Sequence, residues 1–103
     1  MFKYGRNLIK ACFWEYDFTI YDIKKMASGN NEKEKEFLFD KIINNSTDLL
    51  NDLEIFNKHD LKMLLEQFVI PEFNSAFLQR RKNIAEYYFF DKPLTIEELK
   101  WIA

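Results

Sequence analysis

Glycine and proline, the residues that most often interrupt regular backbone structure, are rare in this chain: two of each occur among 103 residues. A β-rich fold of this length needs many tight turns, and such turns usually contain Gly or Pro. Helices joined by short polar connections need fewer of them. The sequence therefore predicts an all-α fold, a compact bundle of six or seven short helices. The length fits one domain over residues 1–103.

Apolar spacing and local capping signals divide the chain into helical segments. Asn31 and Thr47 are predicted N-caps, because their side chains can accept hydrogen bonds from free N–H groups of a first helical turn. Thr95 and Glu98 form a capping box. The predicted helices are Arg6–Trp14, Ile20–Ala27, Glu32–Asn44, Thr47–Phe56, Lys58–Phe68 and a longer one from Phe73 or Ser75 to Phe89, followed by a last helix that carries Leu99, Trp101 and Ile102.

Aromatic residues exceed what a domain of this size is expected to bury: the chain has eleven Phe, five Tyr and two Trp. Adjacent residues of a helix point about 100° apart, so one member of an aromatic pair can enter the core while the other faces outward. Exposed aromatics are enriched in protein interfaces. A large core with chance exposure is the alternative. The residues predicted to bind a protein partner are Phe13, Trp14, Tyr16, Tyr87 and Phe90.

Charge is distributed unevenly, since residues 11–60 carry eleven acids against six bases. An acidic surface repels phosphate backbones, which makes nucleic acid a secondary partner. The one compact basic cluster is Arg80, Arg81 and Lys82, which could touch phosphates or base edges from a helix over residues 75–89. A DNA-binding transcriptional regulator is therefore an alternative function. Arg81 is interleaved with apolar positions, which indicates that one of these bases pairs with an acid instead.

Few residues suited to catalysis or metal binding are present, because His59 is the only histidine and Cys12 the only cysteine. We expect His59 to be solvated and Cys12 to lie in the core. One His and one Cys cannot form a common zinc site, and two distant glycines form no phosphate loop. We expect no enzyme activity, metal or cofactor. No apolar run approaches the roughly 20 residues that span a bilayer, and no secretory signal is apparent, so a cytoplasmic location is expected.

Three segments resemble, in pattern and order, a family of short bacterial proteins with a Phe-Trp-Asp-x-Asp element near the start. They are the run FWEYDF at residues 13–18, the stretch EKEFLFDKIIN at residues 34–44 and the segment at residues 48–68. Genes of that family often lie beside nucleotidyltransferase-like toxins of the abortive-infection class. The resemblance implies an antitoxin that neutralises its cognate toxin by direct contact. An inhibitor of a host enzyme, encoded by a mobile element, has the same physical profile and is a further alternative.

Overall fold

Six α-helices and no β-strand make up residues 5–94, the part of the chain that the computed structural model describes; for residues 5–7 and 11 it describes the backbone alone. The helices are α1 (Gly5–Cys12), α2 (Ile20–Ser28), α3 (Glu32–Asn45), α4 (Leu49–Leu53), α5 (Lys58–Gln67) and α6 (Ser75–Phe90). The predicted all-α fold is confirmed. The predicted capping box at Thr95 and Glu98 and the last helix, with Leu99, Trp101 and Ile102, lie outside the described residues.

Polar side chains begin three of these helices. The Asn31 side chain accepts hydrogen bonds from two backbone N–H groups of α3, which confirms this predicted N-cap. Asn57 accepts a hydrogen bond from the backbone N–H of Asp60 at 2.8 Å and begins α5 in the same way. Thr19 begins α2 with a reciprocal capping box, in which Thr19 Oγ1 accepts from the Asp22 N–H and the Asp22 carboxylate accepts from the Thr19 N–H.

Helix α3 is the centre of the core and packs on α1, α2, α4 and α6. Its predicted apolar stripe is buried completely or nearly so, and the stripe consists of Leu38, Phe39, Ile42 and Ile43. Every other described helix contributes at least one side chain to the same apolar cluster. Because α3 reaches most other helices, surface features on its flanks are held on a rigid support.

Two predicted helices end differently in the structure. Helix α1 stops at Cys12 rather than Trp14, because the chain turns with a hydrogen bond from the Tyr16 N–H to the Phe13 carbonyl at 3.0 Å. Helix α4 is only five residues long, and Asp48 rather than Thr47 takes its N-cap position. The predicted Thr47 cap is therefore wrong. Beyond Leu53 the backbone tightens into bonds between residues three apart, which end α4 before Phe56.

Helix α6 lies between two residues with left-handed backbone conformation, Asn74 at φ 61° and Asp91 at φ 53°. Asparagine and aspartate tolerate this conformation better than most residues, so they can reverse the chain at a helix end. The chain then folds back along α6, where the buried Asn83 side chain donates to the Pro93 carbonyl at 3.2 Å. The predicted span of α6 agrees with the structure to one residue at its C-terminal end.

Candidate functional site

The run at residues 13–18 folds into an aromatic cluster against α3. Phe13 and Phe18 lie edge to face with their ring centroids 5.7 Å apart, and Tyr16 stacks on Phe18 at 5.2 Å. Phe37, on α3, lies 6.0 Å from the Phe13 ring and 5.7 Å from the Tyr16 ring. We call these four residues, Phe13, Tyr16, Phe18 and Phe37, the aromatic corner. Their contacts fix the connection between α1 and α2 on the central helix.

A charged side chain ties the outer edge of the aromatic corner to α3. Lys41 Nζ lies 5.2 Å from the Tyr16 ring centroid and 5.9 Å from that of Phe37, in the range of cation–π contacts. The same ammonium lies 3.6 Å from the Glu15 carboxylate. Because Glu15 is half-exposed, solvent screens this ion pair, which therefore contributes little to the stability of the fold. Its effect is to limit the positions that Glu15 and Tyr16 can adopt.

Trp14 projects from this support into solvent, with 76 % of its surface exposed, whereas its neighbour Phe13 is completely buried. The Phe13 N–H bonds to the Ile9 carbonyl at 2.9 Å, which continues the direction of α1 and turns the Phe13 ring into the core. The prediction that Phe13 contacts a partner is therefore wrong. The expected division of this pair, with one ring inside and one outside, is confirmed. Tyr16, two residues after Trp14, is partly exposed.

The other predicted contact residues lie near the end of α6. Tyr87 is half-exposed, while Phe90 packs partly buried against the core. Tyr88 is more exposed than Tyr87, and its ring lies edge to face on Phe89 at 4.9 Å. Tyr88 falls at helical spacing with Phe77 and Ala85, and this spacing favours an inward position, so the sequence did not indicate its exposure. Among the described residues, no ring contact joins this group to the aromatic corner.

The predicted basic cluster does not form a free surface for nucleic acid. The Arg81 guanidinium turns inward, donates to the Ile43 carbonyl at 2.9 Å and to the Ser46 carbonyl, and lies over the Phe77 ring at 5.0 Å. The structure thus engages Arg81, predicted as a possible nucleic-acid contact, with backbone carbonyls at the end of α3. Lys82 pairs with Glu86 at 3.3 Å, and Arg80 is half-buried.

A polar junction joins Arg81 to two buried residues, Ser46 and Asp52. We call these three residues the buried polar junction. The Ser46 hydroxyl donates to the Asp52 carboxylate and accepts from the Asp48 backbone N–H at 3.0 Å. Burial, followed by the nearby charge of Asp48, raises the pKa of Asp52 despite the opposing hydrogen bond from Ser46. These contacts join the end of α3 to α4 and α6, so the junction positions helices rather than presenting a reactive group.

The two residues considered for catalysis, Cys12 and His59, differ in their exposure to solvent. Cys12 is buried, and its burial, followed by the charge of Asp52, raises the pKa of its thiol to about 12, so at neutral pH the thiol is protonated. His59 is exposed in the first turn of α5. Within residues 5–94, no three side chains of His, Cys, Asp or Glu come together as a metal site would require.

Exposed apolar side chains that the sequence did not single out lie between α5 and α6. Val69 is 83 % exposed and Phe73 is 81 % exposed. The only sequence signal was the interruption at Val69-Ile70-Pro71, which marks a connection but says nothing about which side chain faces outward. Helical periodicity gives no direction for side chains outside helices, so both residues escaped prediction.

In comparisons with known proteins, no family model, curated protein or solved structure matches the chain. Among the described helices, none is both long enough and apolar enough to cross a membrane.

Proposed function

We propose that this chain is an antitoxin-like protein, which binds a cognate nucleotidyltransferase-like toxin directly and thereby neutralises it. The observation that carries the proposal is Trp14, a large apolar side chain that is 76 % exposed and lies in the sequence between Phe13 and Tyr16 of the aromatic corner. Tryptophan is enriched among the few interface residues that supply most of the binding energy. A rigid support lowers the entropy lost when such a side chain is immobilised by a partner.

The toxin class follows from the family resemblance and from charge. A nucleotidyltransferase binds a nucleotide or RNA, so its active-site cleft is expected to be basic. Residues 11–60 of this chain carry five more acids than bases, and this segment includes the aromatic corner. Opposite charges across an interface steer association and reject wrong partners. The acidic segment is thus complementary to the cleft that an inhibitor of such an enzyme would cover.

The proposal predicts that a nucleotidyltransferase-like protein is encoded beside this chain, and co-expression of the two proteins tests it. We expect the two proteins to elute as one complex on size-exclusion chromatography, and the toxin to lose its toxicity. Trp14→Ala should weaken the complex by about 2 kcal/mol or more, as loss of a hot-spot residue does. The matched control is Tyr21→Ala, because Tyr21 is an equally exposed aromatic residue on α2, outside the aromatic corner. Separate elution of the wild-type proteins would refute the proposal.

The DNA-binding alternative is weakened by the arrangement of α6. Two of its three predicted contacts, Arg81 and Lys82, are engaged within the protein. A duplex-binding assay across salt concentrations separates the two functions, since phosphate contacts give a steep loss of affinity with salt. Antitoxin function predicts only weak binding that disappears at physiological salt. Tight binding that survives there and is lost in Arg80→Glu would favour the regulator instead.

A further inference from the structure

A groove runs between α3 and α5. Its wider part has a volume of about 370 Å³, and it continues into a depression of about 320 Å³ that shares Glu36, Leu64 and Gln67 with it. Helix α5 packs chiefly on α6, whereas α3 packs on four other helices. The two helices therefore leave a channel between them. Its length is that of α5, ten residues or about 15 Å, which corresponds to almost three turns of a helix.

The floor of the groove is apolar. The Phe39 and Phe68 rings lie edge to face at 5.6 Å, and Leu64 lines both parts of the groove. At one end Val69 adds a highly exposed apolar side chain. An apolar floor that continues into an exposed apolar rim is typical of surfaces that bind protein segments.

The α3 wall of the groove is acidic. Glu32, Glu36 and Asp40 follow one another at every fourth residue and line the groove. Burial and the neighbouring charge of Glu36 both raise the pKa of Asp40, so these carboxylates repel each other. Of the two lysines in this stretch of α3, only Lys35 lines the groove, and it pairs with Asp60 on α5 at 2.8 Å, an ion pair that spans the channel. A cation from outside would relieve the repulsion on this wall.

We propose that this groove binds a cationic amphipathic helix of a protein partner. The apolar face of such a helix would pack on Met63, Phe68 and Val69, three apolar lining residues that are not fully buried, and its Lys or Arg side chains would meet Glu36 and Asp40. This is the helix-in-groove mode of recognition, in which anchor residues one turn apart fill an apolar channel. The charge of the wall selects a cationic helix over a neutral or acidic one.

The groove is a second binding surface, and it does not depend on the identity of the toxin. It nevertheless borders the aromatic corner, because Asp40 and Asn44 also line a shallow depression that reaches Phe37 and Lys41. A partner that sits on the aromatic corner can therefore extend one helix across the α3 ridge into the groove. Asp40 lines both surfaces.

A synthetic peptide tests this site without any toxin. The probe is a labelled helical peptide of about 14 residues, or four turns, made of Leu on one face and Lys on the other. We expect it to bind the full chain in a fluorescence-anisotropy titration. Glu36→Lys combined with Asp40→Lys should weaken binding at least tenfold, and Val69→Asp should weaken it several-fold. Val69 is so exposed that its replacement should leave folding intact.

The matched control combines Glu34→Lys on α3 with Glu66→Lys on α5. It changes the net charge of the protein by the same amount as the Glu36 and Asp40 double variant, but both of its residues are exposed and neither lines the groove. Binding to this variant should fall less than threefold. A peptide of the same composition with Leu and Lys in non-amphipathic order should bind at least tenfold more weakly. Equal binding of both peptides, or equal losses in both double variants, would reduce the effect to general charge attraction and overturn the proposal. A wild-type dimer that Val69→Asp dissociates would assign the groove to a second copy of the chain, which also overturns it.

Discussion

At the scale of single residues, the buried polar junction shows how one cation can organise three helices. Arg81 donates to two carbonyls at the end of α3, where the helix dipole is negative, and so replaces the water that would otherwise satisfy them. Asp52 lies in the same junction without an ion pair within 4 Å among the described residues. The position of Arg81 among apolar residues of the sequence indicated that its side chain faces inward, but the sequence suggested an acid as the partner of Arg81. Backbone carbonyls carry no sequence signal, so this part could not be predicted.

Replacement of Asp52 should change how stability depends on pH. Burial raises the pKa of this carboxyl in the folded state, so its contribution to stability is complete at low pH and is lost as pH rises through that raised pKa. We therefore expect Asp52→Asn, which cannot ionise, to gain stability relative to the wild type as pH increases from about 4, near the pKa of an unfolded Asp. Urea denaturation at several pH values between 4 and 7 measures this difference.

Asp22 provides the control, because its titration has the opposite sign. Hydrogen bonds from the Thr19 backbone N–H and then the Thr19 hydroxyl lower the pKa of Asp22. Its contribution to stability is present above the usual Asp pKa and is lost as pH falls through the lowered one. Asp22→Asn should therefore be least stable relative to the wild type at neutral pH. Parallel pH profiles for the two variants would contradict the assignment of Asp52 as the destabilised carboxylate.

At the scale of elements, the accuracy of prediction depends on where the determining contacts lie. Helix α3 was predicted closely because its cap at Asn31 and its apolar stripe are both local in sequence. Helix α4 was not, because its N-terminal end is set by the Ser46 side chain, which binds the Asp48 N–H and the Asp52 carboxylate within a junction that α6 completes. A pattern within residues 47–56 contains no information about α6. The aromatic corner was likewise out of reach, since Phe37 joins it from a separate helix.

The two threonines that precede α2 and α4 should respond differently to removal of their hydroxyl groups. Thr19 caps α2, so Thr19→Ala should lower the free energy of unfolding by about 1 kcal/mol, the usual cost of losing an N-cap. Thr47 is exposed and does not occupy the cap position of α4, so Thr47→Ala should change the free energy of unfolding by less than about 0.5 kcal/mol. Urea denaturation of both variants measures this contrast. Equal losses would mean that Thr47 caps α4 as the sequence suggested.

At the scale of the whole molecule, one apolar core takes side chains from all six described helices, yet several large aromatic residues remain outside it. Composition predicted this surplus correctly. It did not predict which residues form it, because Phe13 and Trp14 are both large, apolar and adjacent. The direction in which α1 ends decides between them, and that direction depends on packing against α3.

Phe13 and Trp14 should therefore separate stability from binding. Phe13→Ala removes a completely buried ring and should lower the free energy of unfolding by about 3–5 kcal/mol. Trp14→Ala removes a side chain that is mostly in solvent and should lower it by less than about 0.5 kcal/mol. Chemical denaturation measures both values. Isothermal titration of each folded variant with the proposed toxin should give the reverse order, with the larger loss of affinity for Trp14→Ala. If Trp14→Ala destabilised the fold as much as Phe13→Ala, the exposed tryptophan would be a structural residue, and the antitoxin proposal would lose the observation on which it depends.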